Sequence, residues 1–191
     1  MGRETLRDTL LSVAHQSIEP GDEIIVVGDG AQPSAKGTVQ RFRAKACPGV
    51  LDIRYMTHGP TRDMGNSQRN FAYQWAHGDW IVHMDDDDIF TEDAFIKIRK
   101  AIKQISTEST LLFKVKAPWG EIVWTTKGEL EQGNLCTIQM VVPNYRSNLP
   151  RWNGRQGGNI PFIKDISERM SLAWRSEIIA ICRPQAGDRW F

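Results

Sequence analysis

Two short apolar runs most constrain the fold of this chain: Glu23-Ile24-Ile25-Val26-Val27 and Trp80-Ile81-Val82-His83-Met84. Both are continuous rather than alternating, and the first is rich in β-branched residues, the pattern of a strand buried on both faces. The first is preceded by the turn residues Pro20-Gly21-Asp22 and stops at Gly28-Asp29-Gly30; the second runs into Asp85-Asp86-Asp87-Asp88. Helical periodicity separates them. Leu6, Leu10, Val13 and Ala14 recur at helical spacing over residues 4 to 16, and Phe71, Ala72, Trp75 and Ala76 mark a second helix between Gly65 and Gly78. Leu51 to Tyr55 alternates as a strand. Thr91 is placed to cap a helix whose apolar face is Phe95, Ile98, Ala101, Ile102 and Ile105. Strands alternating with helices predict an α/β fold with an open, mostly parallel sheet flanked by helices.

Beyond residue 108 the pattern changes. Leu111 to Lys116, Ile122 to Thr125 and Leu135 to Val142 read as strands with short polar connections, closer to a meander than to a βαβ unit. Residues 143 to 161 hold three prolines, three glycines and four asparagines, the composition of a long loop of the kind that often serves as a lid. No repeat and no linker divides the chain, so 1–191 is expected to form one domain, with halves at 1–107 and 108–191.

Composition excludes several classes of function. With 24 Lys plus Arg against 23 Asp plus Glu, no basic surface for nucleic acid is implied. Three cysteines, Cys47, Cys136 and Cys182, are odd in number and far apart, which suits neither a zinc site nor a disulfide framework and points to a reducing, cytoplasmic setting. No apolar run nears the roughly 18 residues of a membrane span, and no signal-peptide core is visible.

The four aspartates sit where ligands of open α/β sheets bind, at the C-terminal end of a strand. If Asp85 to Asp87 continue the extended backbone, Asp85 and Asp87 share a side and Asp86 faces away. Two carboxylates converging in this way are suited to Mg2+ or Mn2+ shared with substrate oxygens and water. A solvated acidic loop at a helix start has the same composition. An EF-hand fails for want of a glycine at the sixth position.

A series of short pieces resolves this choice. Ser12-Val13-Ala14-His15-Gln16, Asp22 to Gly30, Gly65 to Asn70, Ala76 to Ile81 and the pair Asp85 and Asp87 resemble, in order and spacing over residues 3 to 107, the family 2 glycosyltransferases of the GT-A fold. The resemblance implies a nucleotide-diphosphate sugar donor, a saccharide or other hydroxyl acceptor and Mn2+ or Mg2+. It places Arg3, Asp29, Gly65, Arg69, Asn70, Asp85 and Asp86 on the donor, Asp85 and Asp87 on the metal, and an acceptor-side base at Asp165 or, second, Glu168. Departures accompany it: Gly28 replaces an acidic residue of the family, and Asn159 stands where some relatives carry the base. The family's first strand, expected before Gly2 and between the strands at Ile24 and Ile81, is missing, which should leave both with unpaired edges. Trp152 and Trp174 are either sugar platforms or core. The implied activity is metal-dependent, inverting sugar transfer; the alternatives are a sugar nucleotidyltransferase or an inactive fragment on the same scaffold.

Overall fold

The computed structural model describes residues 4–46, 51–105, 109–117, 119–124, 126–131, 133–145, 149–153 and 158–183. Arg3 and Cys47 lie outside them. Helix α1 (Leu6–Ala14) is followed by β1 (Glu23–Asp29), α2 (Pro33–Ala46), β2 (Asp52–His58), α3 (Asn66–Tyr73), β3 (Trp80–Val82), β4 (Ile89–Phe90) and α4 (Ala94–Ile102). The later half supplies β5 (Ser109–Lys116), β6 (Ile122–Val123), a 3-10 turn (Thr137–Gln139), β7 (Met140–Pro143), α5 (Asn159–Ser167) and the long β8 (Ser171–Ile181).

The strands form two sheets. β1 and β2 pair in parallel from Glu23 opposite Asp52 to Asp29 opposite His58. The larger sheet runs β3-β7-β5-β8-β4, with β6 paired to β5. Within it β5 and β8 are parallel, and the pairs β3 with β7, β7 with β5, β5 with β6 and β8 with β4 are antiparallel. The α/β class with helices packed on sheet therefore holds, and the pairing within it is mixed, because β7 and β8 come from the half whose pattern is a meander. The central strand β5 owes its place to composition: Ser109 to Phe113 are all buried, an apolar core flanked by hydroxyls that tolerate burial.

Three apolar clusters hold these layers. One joins α4 (Ala94, Ile98, Ala101) to Leu111, Phe113, Val115, Val141, Ile179 and Ala180 of the large sheet. A second packs Phe162, Ile163 and Ile166 of α5 against Leu112, Met140 and Val142. The third seats Leu6 and Leu10 of α1 and Ala35, Val39 and Phe42 of α2 on Ile53 of β2. Ile18 and Ile24 belong to the margins of both the first and the third, and so tie the small sheet to the large one. Burying a side chain such as Phe113 stabilises by about 2 kcal/mol in transfer terms.

Helix α2 is a structural addition that periodicity in the sequence left unread. Its signals are a proline at the first helical position and apolar residues at Ala35, Val39 and Phe42, spaced four and three apart. A second correction concerns Thr91. The helix begins three residues later, and Thr91 Oγ1 donates instead to Ile178 O (3.2 Å) across the sheet edge.

Among the described residues β1 has β2 as its sheet partner and β3 has β7, so each keeps one lateral margin without a strand, as expected. The two margins are held near one another at one end: Glu23 Oε1, at the start of β1, accepts from the backbone of His77 and of Gly78 (3.0 Å), two residues before β3. Backbone hydrogen exchange should register this geometry. Alternate amides in Ile24–Val27 and Trp80–Val82 should exchange about 100-fold or more faster than those of Ala180 and Ile181, which lie between β4 and β5. Uniform slow exchange along β1 and β3 would show that the margins are covered.

Candidate functional site

The carboxylate loop Asp85–Asp88 does not continue the extended backbone. Regular pairing of β3 ends at Val82, and Asp86 and Asp87 form a turn in which Asp88 N donates to Asp85 O (3.3 Å). The alternation that was to aim Asp85 and Asp87 to one side therefore fails, because strand pairing no longer holds the chain extended at that point. The turn gathers the carboxylates by another route. Asp88 is buried, and its carboxyl is pushed up to about 7, first by that burial and then by the charges of Asp85 and Asp87, against the opposing Arg183 amide and guanidinium.

The loop is held from beneath by α1. Thr9 Oγ1 donates to Asp88 O (2.7 Å), and Ser12 Oγ accepts from Phe90 N (3.1 Å). Gln16 donates to Thr91 O (2.9 Å) and accepts from Phe95 N (3.1 Å). Thr9, Ser12 and Gln16 are spaced three and four apart, a polar stripe on a helix face that is otherwise core. Their role explains why the core-facing side of α1 keeps Thr9 and Ser12 and the chain just past its end keeps Gln16: each satisfies backbone groups in and around the short β4.

Two cationic neighbours face the carboxylates, Arg69 and Arg183. Arg69, on the first turns of α3, pairs with Asp85 and donates to Met64 O (3.0 Å). Gly65 sits in the left-handed region at φ 82°, where its missing side chain admits the Arg69 guanidinium: a Cβ there would come within 3.3 Å of Arg69 Nη1. Arg183, just past β8, pairs with Asp87 (Nε to Oδ2, 3.2 Å) and donates its backbone N–H to Asp88 Oδ1 (2.9 Å). Sequence reasoning missed Arg183, since nothing local in the chain signals a pairing across 96 positions.

Asn70 and Asp29 are occupied in ways the sequence did not foretell. Asn70 holds the backbone of Trp152 at both ends, donating to its O and accepting from its N, each at 2.9 Å. Asp29 organises the turn after β2: its Oδ1 accepts from Thr61 N (2.7 Å) and Gln68 Nε2 (2.7 Å), and its Oδ2 from Arg62 N (3.3 Å). That turn carries Arg62 and Met64 at positive φ, 54° and 60°, a conformation non-glycine residues hold only under constraint. Asp63 supplies some of it. Burial pushes its carboxyl up, but donors from the Ser67 side chain and backbone and from Thr61 outweigh burial and hold it below the usual range.

Behind Arg69 lies an aromatic brace. Trp152 is 2% exposed, stacked on Phe162 (4.0 Å between centroids), with the Arg69 guanidinium over its ring, 5.0 Å from the centroid. It is core, and so offers no platform for a sugar; Trp174 packs edge-on against Trp124. Trp152 Nε1 donates to Tyr73 Oη (2.6 Å), which meets His83 Nε2 (2.5 Å). Burial, with the Arg69 charge adding to it, holds His83 neutral and lowers it to about 3; burial also raises Tyr73. The brace joins α3, β3, α5 and the 149–153 segment in one packed unit.

The acceptor-side acids stand elsewhere. Asp165 accepts from Arg169 one turn on (2.9 Å), and Glu168 is exposed at the C-terminal end of α5. It is the other end of α5 that meets α3: a Cβ on Gly158 would come within 2.8 Å of the Asn66 amide, and Asn159 Nδ2 donates to Leu135 O (2.7 Å). Along a helix, Asp165 lies about 9 Å and Glu168 about 13 Å from Asn159. The structure thus brings Arg69 and Asp85 together and adds Arg183 to Asp87, and it ties Asp29, Gly65 and Asn70 into the supporting loops. Asp165 and Glu168 make no described contact with that group.

A divalent cation is compatible with this donor set. Oxygen ligands suit Mg2+ or Mn2+, and Asp88, raised first by burial, is raised further by the charges of Asp85 and Asp87 beside it. Among the described residues no group of three or more His, Cys, Asp or Glu side chains could hold a metal. A cation at Asp85 and Asp87 would therefore complete its shell with substrate oxygens and water.

The sequence model of the family described as Glycosyl transferase family 2 matches residues 2–162. No curated protein matches by sequence. Among solved structures, the chain is similar to S. aureus TarS, with a TM-score of 0.77 at 15% identity, covering 95% of this chain and 34% of that one. It is also similar to TarS 1-349 in complex with UDP-GlcNAc, with a TM-score of 0.75 at 16% identity over 96% of this chain and 56% of that one. The complex of TarS 1-349 with UDP gives a TM-score of 0.75, 16% identity and coverage of 93% and 56%. The chain thus spans about a third to a half of the TarS structures it resembles.

His83 and Asp88 should impose opposite pH dependences on stability. His83 titrates lower folded than unfolded, so below about pH 6.5 the unfolded chain binds the extra proton and stability falls as pH drops toward 3. Asp88 titrates higher folded than unfolded, so its contribution falls as pH rises from about 4 to 7. Measured against wild type, Asp88→Asn should gain stability toward pH 7, and His83→Gln should gain toward pH 4. Each difference should change by about 1 kcal/mol per pH unit in denaturant melts. Parallel pH profiles for all three proteins would exclude both assignments.

Proposed function

The chain belongs to glycosyl transferase family 2, and on that premise we propose that it transfers a sugar from a nucleoside-diphosphate sugar to an acceptor hydroxyl. The observation that carries this reading is the gathering of Asp85, Asp87 and Asp88 in one turn at the end of β3, faced by Arg69. A diphosphate requires cations along its length, and a sheet end with a fixed arginine and carboxylates able to share a divalent ion supplies them. UDP-GlcNAc heads the list of donors to try because TarS 1-349 is described in complex with it.

In this reading Asp85 and Asp87 would hold Mn2+ or Mg2+, which would supply positive charge to offset that developing on the departing diphosphate. The residues of the chain do the rest. Arg69, braced by Trp152 and fixed at a glycine turn, presents a preorganised positive group beside Asp85 that needs no rearrangement as charge develops. Asp29 shapes the Thr61–Arg62 turn against which a nucleotide base would lie. Direct attack of the acceptor hydroxyl on the anomeric carbon inverts its configuration. The hydroxyl's proton passes to an acid that follows Gly158, Asp165 first and Glu168 second, and Asp165 must leave Arg169 to take it.

The test is a panel of nucleotide sugars with Mn2+, read by calorimetry and by release of nucleoside diphosphate. Wild type should bind at least one donor, and Asp87→Asn should weaken that binding by 10-fold or more, about 1.4 kcal/mol, while keeping its melt. A wild-type chain that binds no nucleotide sugar would leave the scaffold without this activity. Asp165→Asn should lower turnover roughly 100- to 10,000-fold with donor affinity unchanged. The same loss from Glu168→Gln alone would move the role.

A further inference from the structure

Cys136 and Cys182 are unused by the proposed reaction, yet the fold brings them together. Cys136 opens the 3-10 turn before β7, and its backbone N–H is held by Gln139 Oε1 (2.5 Å) while its sulfur accepts from the Gln139 backbone. Cys182 follows the last residue of β8, with its backbone N–H on Lys116 O (2.8 Å). Their sulfurs lie 3.8 Å apart, both thiols are free, and both residues are partly exposed. A disulfide needs about 2 Å between sulfurs, so side-chain rotation has under 2 Å to close while both backbones stay where they are anchored.

The position of the pair matters because Arg183 follows Cys182 directly. Its amide binds Asp88 and its guanidinium Asp87, so the last fastening of β8 before the carboxylate loop is the residue next to a sulfur. We propose that Cys136 and Cys182 form a dithiol site that closes to a disulfide by exchange with low-molecular-weight disulfides, and that closure fastens the Ile181–Arg183 end of β8 against Asp87 and Asp88.

The exchange balances as two displacements. The Cys182 thiolate attacks one sulfur of the small disulfide, forming a mixed disulfide and releasing the first small thiolate. Cys136, whose thiol is held protonated by its hydrogen bond to Cys182 and then by burial, gives up its proton to solvent base. Its sulfur attacks Cys182 Sγ and expels the second small thiolate. The two protein thiols lose two electrons and two protons, and the small disulfide gains both, leaving as two thiols.

The experiment uses the full chain carrying Cys47→Ser, so that two thiols remain, incubated with oxidised or with reduced glutathione. With oxidised glutathione, peptide mass spectrometry should find residues 136 and 182 cross-linked with the loss of two hydrogens. Tm should rise by about 5–10 °C, as expected for a loop of this length, and the amides of Ile181–Arg183 should exchange more slowly. Cys136→Ser in the same background should stop at a glutathione adduct on Cys182, with no rise in Tm. Two separate glutathione adducts, two thiols that remain alkylatable, or a cross-link without change in Tm or exchange would each overturn the proposal. None of these readouts involves donor binding, so they stand or fall apart from the proposed sugar transfer.

Discussion

Four adjacent carboxylates after a half-buried strand repel one another, and they stay together only if the backbone that carries them is held by something else. That something is the polar stripe of α1. Thr9 and Ser12 on the core-facing side of α1, and Gln16 just past its end, reach to Asp88, Phe90, Thr91 and Phe95, and their bonds replace the pairing that the two-residue β4 is too short to provide. Each such bond contributes about 1 kcal/mol net, while leaving one buried partner unsatisfied costs as much as 1–3. The carboxylate turn therefore depends on the seating of α1, and α1 is seated by Leu6 and Leu10 on the small sheet and by Val13 on the large one.

The donor-facing side rests on a second unit. Arg69 could swing freely from an exposed helix, but here Gly65, Asn66, Met64 and Trp152 confine it to the side of Asp85. Asn70, next in sequence, clamps the Trp152 backbone, so of the adjacent pair Arg69-Asn70 one residue presents charge and the other holds the wall behind it. The aromatic brace through Tyr73 and His83 carries this order to β3. A neutral, buried imidazole suits that place because a charged one would face Arg69 in a low-dielectric interior.

Much of the scaffold was legible from residues alone, because buried strands and amphipathic helices write their periods into the chain. The runs at Ile24 and Ile81, the helices at Leu6 and Ile98 and the change of texture after residue 108 all correspond to observed elements. Helix α2 was not read, its apolar face being narrow and its remaining residues polar. The reach of Thr91 to Ile178 was equally hidden, since a hydroxyl's choice between a helix end and a neighbouring strand depends on where that strand lies.

By itself the sequence determined which residues carry the charge: Asp85 to Asp88 at a strand end, Arg69 at a helix start, and the ordered series of short motifs linking them. The tertiary structure decided how that charge is arranged. It bent the carboxylates into a turn instead of aligning them on a strand, brought Arg183 across 96 positions to Asp87, and buried Trp152 as a support instead of exposing it as a platform. It also set Cys136 beside Cys182. The physical reason is one of range: backbone periodicity and burial are read from neighbours a few residues apart, whereas ion pairs, stacking and sulfur contacts depend on which distant segments the packed core brings within a few ångströms.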